Sequence, residues 1–268
     1  MTRIEEKFKE LKLKNQSGLI LYLTAGDPKL KITEQLILKL EQAGADIIEL
    51  GVPFSDPTAD GPTIQRASQR ALKNYFSLDD ILGMVERVRT RSQVPLLLFS
   101  YYNPIFKYGE ERLVKRLKEV GIDGILVVDL PVEESENLAK LCKKIGINLI
   151  LLATPTSNSS RLKAISKNSS GFIYYVSVTG ITGARKELPK DISENLAKVK
   201  KITKLPIAVG FGVSTPGQAQ ALGKIADAVV VGSALVSIIE QYGGGQSLFE
   251  EVEKFCRAIK SGLTKSKS

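Results

Sequence analysis

Ala43-Gly44-Ala45-Asp46-Ile47-Ile48-Glu49-Leu50-Gly51 marks the place where one pattern ends and another begins. Ahead of it, Leu36, Leu40 and Ala43 recur at helical spacing; after Asp46 the chain turns apolar and β-branched. Glycine readily takes the left-handed turn that closes a helix, so Gly44 reads as a helix end and Asp46 as the start of a short buried strand. The same hinge recurs at Val120-Gly121-Ile122-Asp123-Gly124-Ile125 and, without the glycine, at Lys224-Ile225-Ala226-Asp227-Ala228-Val229.

Outward from these hinges the chain shows eight apolar runs: Gly18–Thr24, Asp46–Leu50, Pro95–Ser100, Gly124–Val128, Asn148–Leu152, Phe172–Val176, Pro206–Gly210 and Asp227–Val231. Helical patterns such as Leu113-Leu117-Val120 and Leu138-Leu141-Ile145 lie between them. Strand–helix alternation repeated this often predicts a closed parallel sheet, the (β/α)8 TIM barrel of the α/β class. A six-strand doubly wound sheet would leave two units unplaced. A length of 268 residues suits one such barrel, so residues 1–268 are read as a single domain. Ile4, Phe8 and Leu11 form an additional N-terminal helix, expected to cover the barrel floor. A final helix near Leu248–Ile259 is expected outside the barrel, with a frayed tail over 261–268.

Composition narrows the chemistry. The chain has no histidine, which removes imidazole acid–base catalysis, Ser-His-Asp triads and histidine-held metals. No metal site is expected. Cys142 and Cys256 fall in helical patterns without metal-type spacing and read as buried thiols. The charge of +9 is spread over helical stretches mixed with glutamate, which fits a solvated face better than a nucleic-acid surface; a positive field also favours anionic substrates. The charged opening Met1-Thr2-Arg3-Ile4-Glu5-Glu6 is not a signal peptide, and the apolar run Ala228 to Ile239 is broken by Gly232, Ser233 and Ser237. A cytoplasmic location without membrane contact is expected.

Barrel enzymes work at the carboxyl ends of their strands. Side chains alternate along a strand, so with Ile48 and Leu50 facing the helices, Ile47 and Glu49 face the interior. Glu49 is then a carboxylate in an apolar barrel near its mouth, with a raised pKa suited to proton transfer; the alternative is a glutamate ion-paired for structure. The loop Gly51-Val52-Pro53-Phe54-Ser55-Asp56-Pro57-Thr58-Ala59-Asp60-Gly61-Pro62 holds three prolines and two glycines, and so makes a long, defined excursion. Asp60 is either an ordinary turn residue or a second carboxylate facing Glu49, and Asp56 reads as a turn former or a partner contact. Val209-Gly210-Phe211-Gly212-Val213-Ser214 and Val231-Gly232-Ser233-Ala234 place glycines before helices after the last two strands, where this architecture binds phosphate; packing glycines are the alternative. Ser177-Val178-Thr179-Gly180-Ile181-Thr182-Gly183-Ala184-Arg185 reads as a lid or as a surface connection. Tyr174, Tyr101 and Tyr102 either wall an aromatic substrate or pack in the core.

Taken together, Glu49 through Pro57 and Ala59-Asp60-Gly61-Pro62-Thr63-Ile64-Gln65 closely resemble the signature of tryptophan synthase alpha subunits. Tyr22-Leu23-Thr24-Ala25-Gly26-Asp27-Pro28, Asp129-Leu130-Pro131 with Glu133-Glu134, Gly180-Ile181-Thr182-Gly183, Gly210-Phe211-Gly212 and Gly232-Ser233-Ala234 extend the resemblance in order along the chain. The resemblance implies that Glu49 and Asp60 are catalytic. It implies phosphate binding by Gly183, Gly212, Gly232 and Ser233, and substrate contact by Tyr174, with Thr182, Phe211 and Tyr101 in the same substrate set. The implied reaction is retro-aldol cleavage of indole-3-glycerol phosphate, a small phosphate ester, without a cofactor in this chain. Pyridoxal phosphate is expected only in a beta subunit that takes the indole within an alpha2-beta2 heterotetramer. Two other readings stay open at this point: a different phosphosugar barrel enzyme, and a non-catalytic barrel that binds the ester and regulates a partner.

Overall fold

The computed structural model describes residues 1–177, 190–210 and 212–264. The hinge at Asp46 shows how the barrel is assembled. Helix α2 (Leu30–Gln42) ends just before Gly44, whose φ of 105° suits only glycine. The Asp46 N–H donates to the Leu19 carbonyl at 2.9 Å, and the Asp46 carboxylate accepts the Leu19 N–H at 2.7 Å. This pair of hydrogen bonds fixes the start of β2 (Ile47–Gly51) beside β1 (Gly18–Thr24). Asp123 holds Leu96 in the same way, at 2.9 and 3.0 Å, joining β4 (Gly124–Val127) to β3 (Leu96–Ser100). Asp227 holds Ile207, at 2.9 Å in both directions, joining β9 (Ala228–Val231) to β8 (Ile207–Gly210). The repeated turn-Asp pattern is therefore one physical device used three times.

All strand pairings among the described residues are parallel, in the order β5-β4-β3-β2-β1-β9-β8-β7-β6. The run expected as one strand over 148–152 is two pieces, β5 (Asn148–Ile150) and β6 (Leu152–Ala153). Its first half bonds to β4 and its second half to β7 (Ile173–Val176), and the buried Leu151 between them closes the cylinder. Eight staves thus form a (β/α)8 barrel, with helices outside.

Inside it, Ile20, Ile47, Leu97, Leu126, Ile150, Phe172, Ala208 and Ala228 make one apolar cluster, with Phe99, Val128, Leu152 and Tyr174 packed against it nearer the mouth. Ile48 and Leu50 join the outer cluster that meets the helices, so Ile47 and Glu49 face inward. Helix α1 (Arg3–Leu13), capped by Thr2 and Glu5, plugs the floor: Ile4 and Phe8 enter the interior cluster, and the Phe8 ring lies 5.5 Å from that of Phe172. Both cysteines are buried, and burial pushes each thiol up to about 12.

Helix α12 (Gln246–Leu263) packs outside against α10 (Pro216–Gly223) and α2. It runs further than the sequence suggests. Fraying was expected from Ser261, but Gly262 and Leu263 are buried, because a side chain at Gly262 would meet the Pro216 carbonyl at 2.4 Å and its absence lets the two helices touch. No helix among the described residues is long and apolar enough to cross a membrane.

Asp123 also pairs with Arg3 at 2.9 Å and with the mostly covered Arg89 at 3.1 Å. Burial lowers the Arg89 guanidinium to about 10, against the pull of Asp123. Asp123→Ala leaves that guanidinium without its counter-charge and the Leu96 N–H without its acceptor. The expected loss is about 3 kcal/mol of unfolding free energy, read as a lower urea midpoint at unchanged slope.

Candidate active site at the barrel mouth

Glu49 is the middle residue of β2 and its one ionisable side chain: inward, 0% exposed, and just above the apolar interior cluster. Neither carboxylate oxygen has a hydrogen-bond partner, and among the described residues Glu49 makes no ion pair. Of the two readings open from sequence, the structural ion pair is therefore not seen. Burial alone raises its pKa from 4.5 to about 8, so at neutral pH the group holds its proton.

Asp60 lies on the loop after β2, just before α3 (Pro62–Leu72). The loop is bonded to itself: the Asp60 N–H donates to Pro57 O at 3.1 Å, and Gln65 Nε2 donates to Asp60 O at 2.8 Å. Tyr101, expected as a substrate wall, clamps this loop. Its hydroxyl accepts the Ala59 N–H at 2.9 Å and donates to Asp60 Oδ2 at 3.1 Å, while its ring stacks on Phe54 with centroids 5.0 Å apart. Burial raises the Asp60 pKa, and the Tyr101 hydrogen bond opposes the rise. The two carboxyls thus occupy different settings: one is dry and unpartnered, the other half-buried and hydrogen-bonded. Asp56 is exposed on the same loop.

Two tyrosines rise toward the mouth by one geometric rule. Tyr22 pairs with Glu49 in the β1–β2 register, and its hydroxyl overlies Gly51, where a Cβ would come within 2.1 Å. Tyr174 pairs with Ala208, and its hydroxyl overlies Gly210, where a Cβ would come within 2.6 Å. Each glycine clears the space its neighbour's phenol fills. The Tyr22 ring meets Phe99 edge-on at 5.2 Å. Tyr102, the other candidate wall, turns away: its hydroxyl donates to Glu110 at 2.9 Å, and its N–H, opening α5 (Tyr102–Tyr108), is capped by Asp129 at 2.7 Å.

The glycine turns differ from each other. Gly212 has a φ of 65°, so its backbone demands glycine, and open space surrounds the position a Cβ would take. Helix α10 is capped by its own Thr215 and Gln218. Gly232 precedes α11 (Ser233–Tyr242), which has no side-chain cap, and a Cβ there would make only ordinary contact with Tyr22 at 3.6 Å. Crowding does not explain glycine at 232. Ser233 is exposed at the helix start. Thr182, Gly183 and Phe211 lie outside the described residues, as does most of the expected lid. Beside the mouth, Val128, Asp129, Leu130, Leu152, Thr154 and Arg161 line a groove of about 370 Å³.

One set of site neighbours carried no local signal in the sequence. Buried Asp27 holds Arg70 through two bonds of 2.9 and 2.7 Å, Arg70 reaches Glu240 at 2.7 Å, and Arg66 grips Glu240 at 2.8 Å. The chain of charges ties the loop after β1 to α3, which follows Asp60, and to α11, which follows Gly232. Burial raises the Asp27 pKa and Arg70 opposes it. Its members lie up to 213 positions apart (240 − 27), so no motif brings them together.

A closed (β/α)8 barrel with a dry carboxyl and a hydrogen-bonded one at the carboxyl ends of its strands defines a barrel equipped for acid–base work. The sequence model of the tryptophan synthase alpha chain family matches residues 8–264. The chain is 49% identical over 265 residues to the tryptophan synthase alpha chain of Citrifermentans bemidjiense, covering 99% of each, and 46% identical to that of Thermoanaerobacter sp., covering 98% of this chain and 100% of the relative. Its structure is similar to tryptophan synthase subunit alpha from Legionella pneumophila, with a TM-score of 0.91, 36% identity and 98% of each chain covered. It is also similar to a chain of the tryptophan synthase a2b2 complex from Pyrococcus furiosus, with a TM-score of 0.86, 42% identity, and 92% of this chain and 98% of that one covered. This chain belongs to the tryptophan synthase alpha chain family.

The state of Glu49 has a consequence for stability. Its folded pKa is raised above its unfolded value, so its contribution is fully present below about 4.5 and is lost as pH rises through about 8. Glu49→Gln has no proton to lose. The stability of the variant relative to the parent should grow between about pH 5.5 and pH 8, by on the order of 3 kcal/mol at ~1.4 kcal/mol per pH unit. Urea unfolding at the two pH values checks this; a constant difference would mean that Glu49 is not neutral in the fold.

Proposed function

We propose that this chain is a carbon–carbon lyase that cleaves indole-3-glycerol phosphate to indole and glyceraldehyde 3-phosphate. The observation that carries the proposal is Glu49: a protonated, unpartnered carboxyl at a barrel mouth, with a second carboxyl, Asp60, in a polar setting on the loop that follows its strand. In the retro-aldol step the bond between indole C3 and the first side-chain carbon breaks. C3 gains a proton, and the hydroxyl on that carbon loses one as it becomes an aldehyde. Neutral Glu49 donates to C3, and the resulting carboxylate takes the hydroxyl proton, so the group returns to its starting state. Protonation at C3 places positive charge on the ring nitrogen. Ionised Asp60, fixed by Tyr101, accepts the ring N–H and stabilises that charge, a contribution of ~3 kcal/mol in a water-poor site. No step calls for a cofactor.

The phosphate end is assigned to Gly212, Gly232 and Ser233, with Gly183 joining from the lid. Support comes from the uncapped start of α11 and from a glycine at 232 that the protein's own packing does not require. Tyr174, Phe211 and Thr182 complete the substrate set, and Tyr101 acts on it through Asp60. The Pyrococcus furiosus relative is described as a mutually activated a2b2 complex. We extend this to the present chain: a beta subunit carrying pyridoxal phosphate docks at the mouth, near the Pro53–Pro57 loop, and receives the indole in the cytoplasm.

Purified protein given indole-3-glycerol phosphate should release indole and triose phosphate in equal amounts. Asp60→Asn should lower kcat by at least about 100-fold with an unchanged fold. Cognate beta subunit should raise the rate about tenfold or more. Absence of indole both alone and with the beta subunit would contradict the proposal.

Gly232→Leu should raise KM for the ester at least about tenfold, since its side chain takes the place of the phosphate, while the same change leaves the thermal midpoint nearly unmoved. Inorganic phosphate competing against the parent enzyme and failing to compete against the variant is the accompanying sign.

A further inference from the structure

The mechanism leaves the ionised form of Glu49, which must exist for part of each turnover, without a hydrogen-bond donor of its own. A carboxylate in a dry site without a donor is costly, and buried charges in proteins are ordinarily hydrogen-bonded. The donor must be inward-facing, close in register and carry a proton that is not already given elsewhere.

Tyr22 meets these conditions. It is the cross-strand partner of Glu49, and it is buried with its ring against Phe99. Its hydroxyl oxygen accepts from Thr24 Oγ1 at 3.4 Å, which occupies the acceptor side and leaves the phenolic proton for another group. Gly51 leaves the room that this hydroxyl fills, and a Cβ at Gly232, at the proposed phosphate turn, would lie 3.6 Å from the Tyr22 Cβ. Burial keeps the phenol protonated, and the negative charges of Asp60 and Glu49 act in the same direction, so it is a donor throughout the working pH range. The other titratable groups facing this space are Asp60 and Tyr101 from the loops and Tyr174 from β7. Asp60 offers no donor when ionised, and the Tyr101 proton is given to Asp60. Tyr174 also faces Glu49, from the opposite wall of the barrel, but its register partners are Leu152 and Ala208, whereas Tyr22 is paired with Glu49 itself.

We infer that Tyr22 is a positioning residue for the reaction: its hydroxyl donates to Glu49 when that carboxyl is ionised, holding the carboxylate in place between its two proton transfers. The inference rests on the lyase reading for its purpose, but not for its test. Both groups face the same space from adjacent strands, in direct register.

The direct test is infrared difference spectroscopy of the full chain across pH, following the protonated carboxyl band that disappears in Glu49→Gln. In Tyr22→Phe, which keeps the ring and loses only the hydroxyl, the Glu49 midpoint should rise by about one pH unit or more, the effect of removing a hydrogen bond to a charged group. In Tyr174→Phe, whose ring faces Glu49 from across the barrel, it should rise by less than in Tyr22→Phe. With substrate, Tyr22→Phe should lower kcat about tenfold at neutral pH, move the limb of the pH–rate profile by the same amount as the infrared midpoint, and leave KM within about twofold. An unmoved midpoint in Tyr22→Phe, or a larger rise in Tyr174→Phe, overturns the assignment whether or not the chain cleaves the ester. A shifted midpoint in a protein that releases no indole keeps the Tyr22–Glu49 pairing and removes only the lyase reading.

Discussion

Side chains along a strand alternate, and in a closed cylinder of parallel strands the inward half can pack only against one another. Everything distinctive about this molecule follows from placing one carboxyl in that half. Below Glu49 the inward positions are Ile20, Ile47, Leu97, Leu126, Ile150 and Phe172, with α1 sealing the floor through Ile4 and Phe8. Burial above this apolar layer keeps the proton on the carboxyl. The hinges at Asp46, Asp123 and Asp227 serve the same end, because each fixes the register that decides which residues face in. A one-residue slip of β2 against β1 would turn Glu49 out among the helices.

Above that level the barrel changes character. Small residues replace large ones where space is needed, at Gly51 beneath the Tyr22 hydroxyl and Gly210 beneath that of Tyr174. Polar contacts are made by the loops rather than by the strands. Tyr101 holds Asp60, Gln65 ties the loop back on itself, and the Asp27–Arg70–Glu240–Arg66 chain fixes α3 and α11 relative to each other. The two carboxyls are therefore set by independent means. Glu49 is governed by the strand register, and Asp60 by a braced loop, so their environments differ as their proposed tasks do.

Much of this was readable along the chain. Period-2 alternation placed Ile47 and Glu49 inward, and the apolar stripe of Ile4, Phe8 and Leu11 marked the floor plug, because both depend on local spacing alone. The strand ends were less legible. The break at Leu151 arises from bonding to two different neighbours, which no single strand records, and the extension of α12 to Leu263 depends on the Pro216 carbonyl about 46 residues earlier. Within the site, the sequence leaves Tyr101 as a substrate wall or a packing residue, and its hold on Asp60 is a tertiary hydrogen bond that no local pattern records. Tyr22 was visible in its motif without a role, since its pairing with Glu49 is a property of register. The Asp27–Arg70–Glu240 chain had no signature, as ion pairs between distant helices leave none.

The central claim is that one neutral, buried carboxyl moves the proton in this barrel. Single-turnover cleavage of indole-3-glycerol phosphate by Glu49→Gln, run beside the parent with far-ultraviolet circular dichroism and thermal unfolding on the same samples, tests it most directly. The amide has nearly the same shape and packs in the same space, but it can neither give nor take the proton. The expected result is a folded protein that binds the ester and cleaves it at least about 100-fold more slowly. A folded Glu49→Gln protein that cleaves at close to the parent rate would contradict the account.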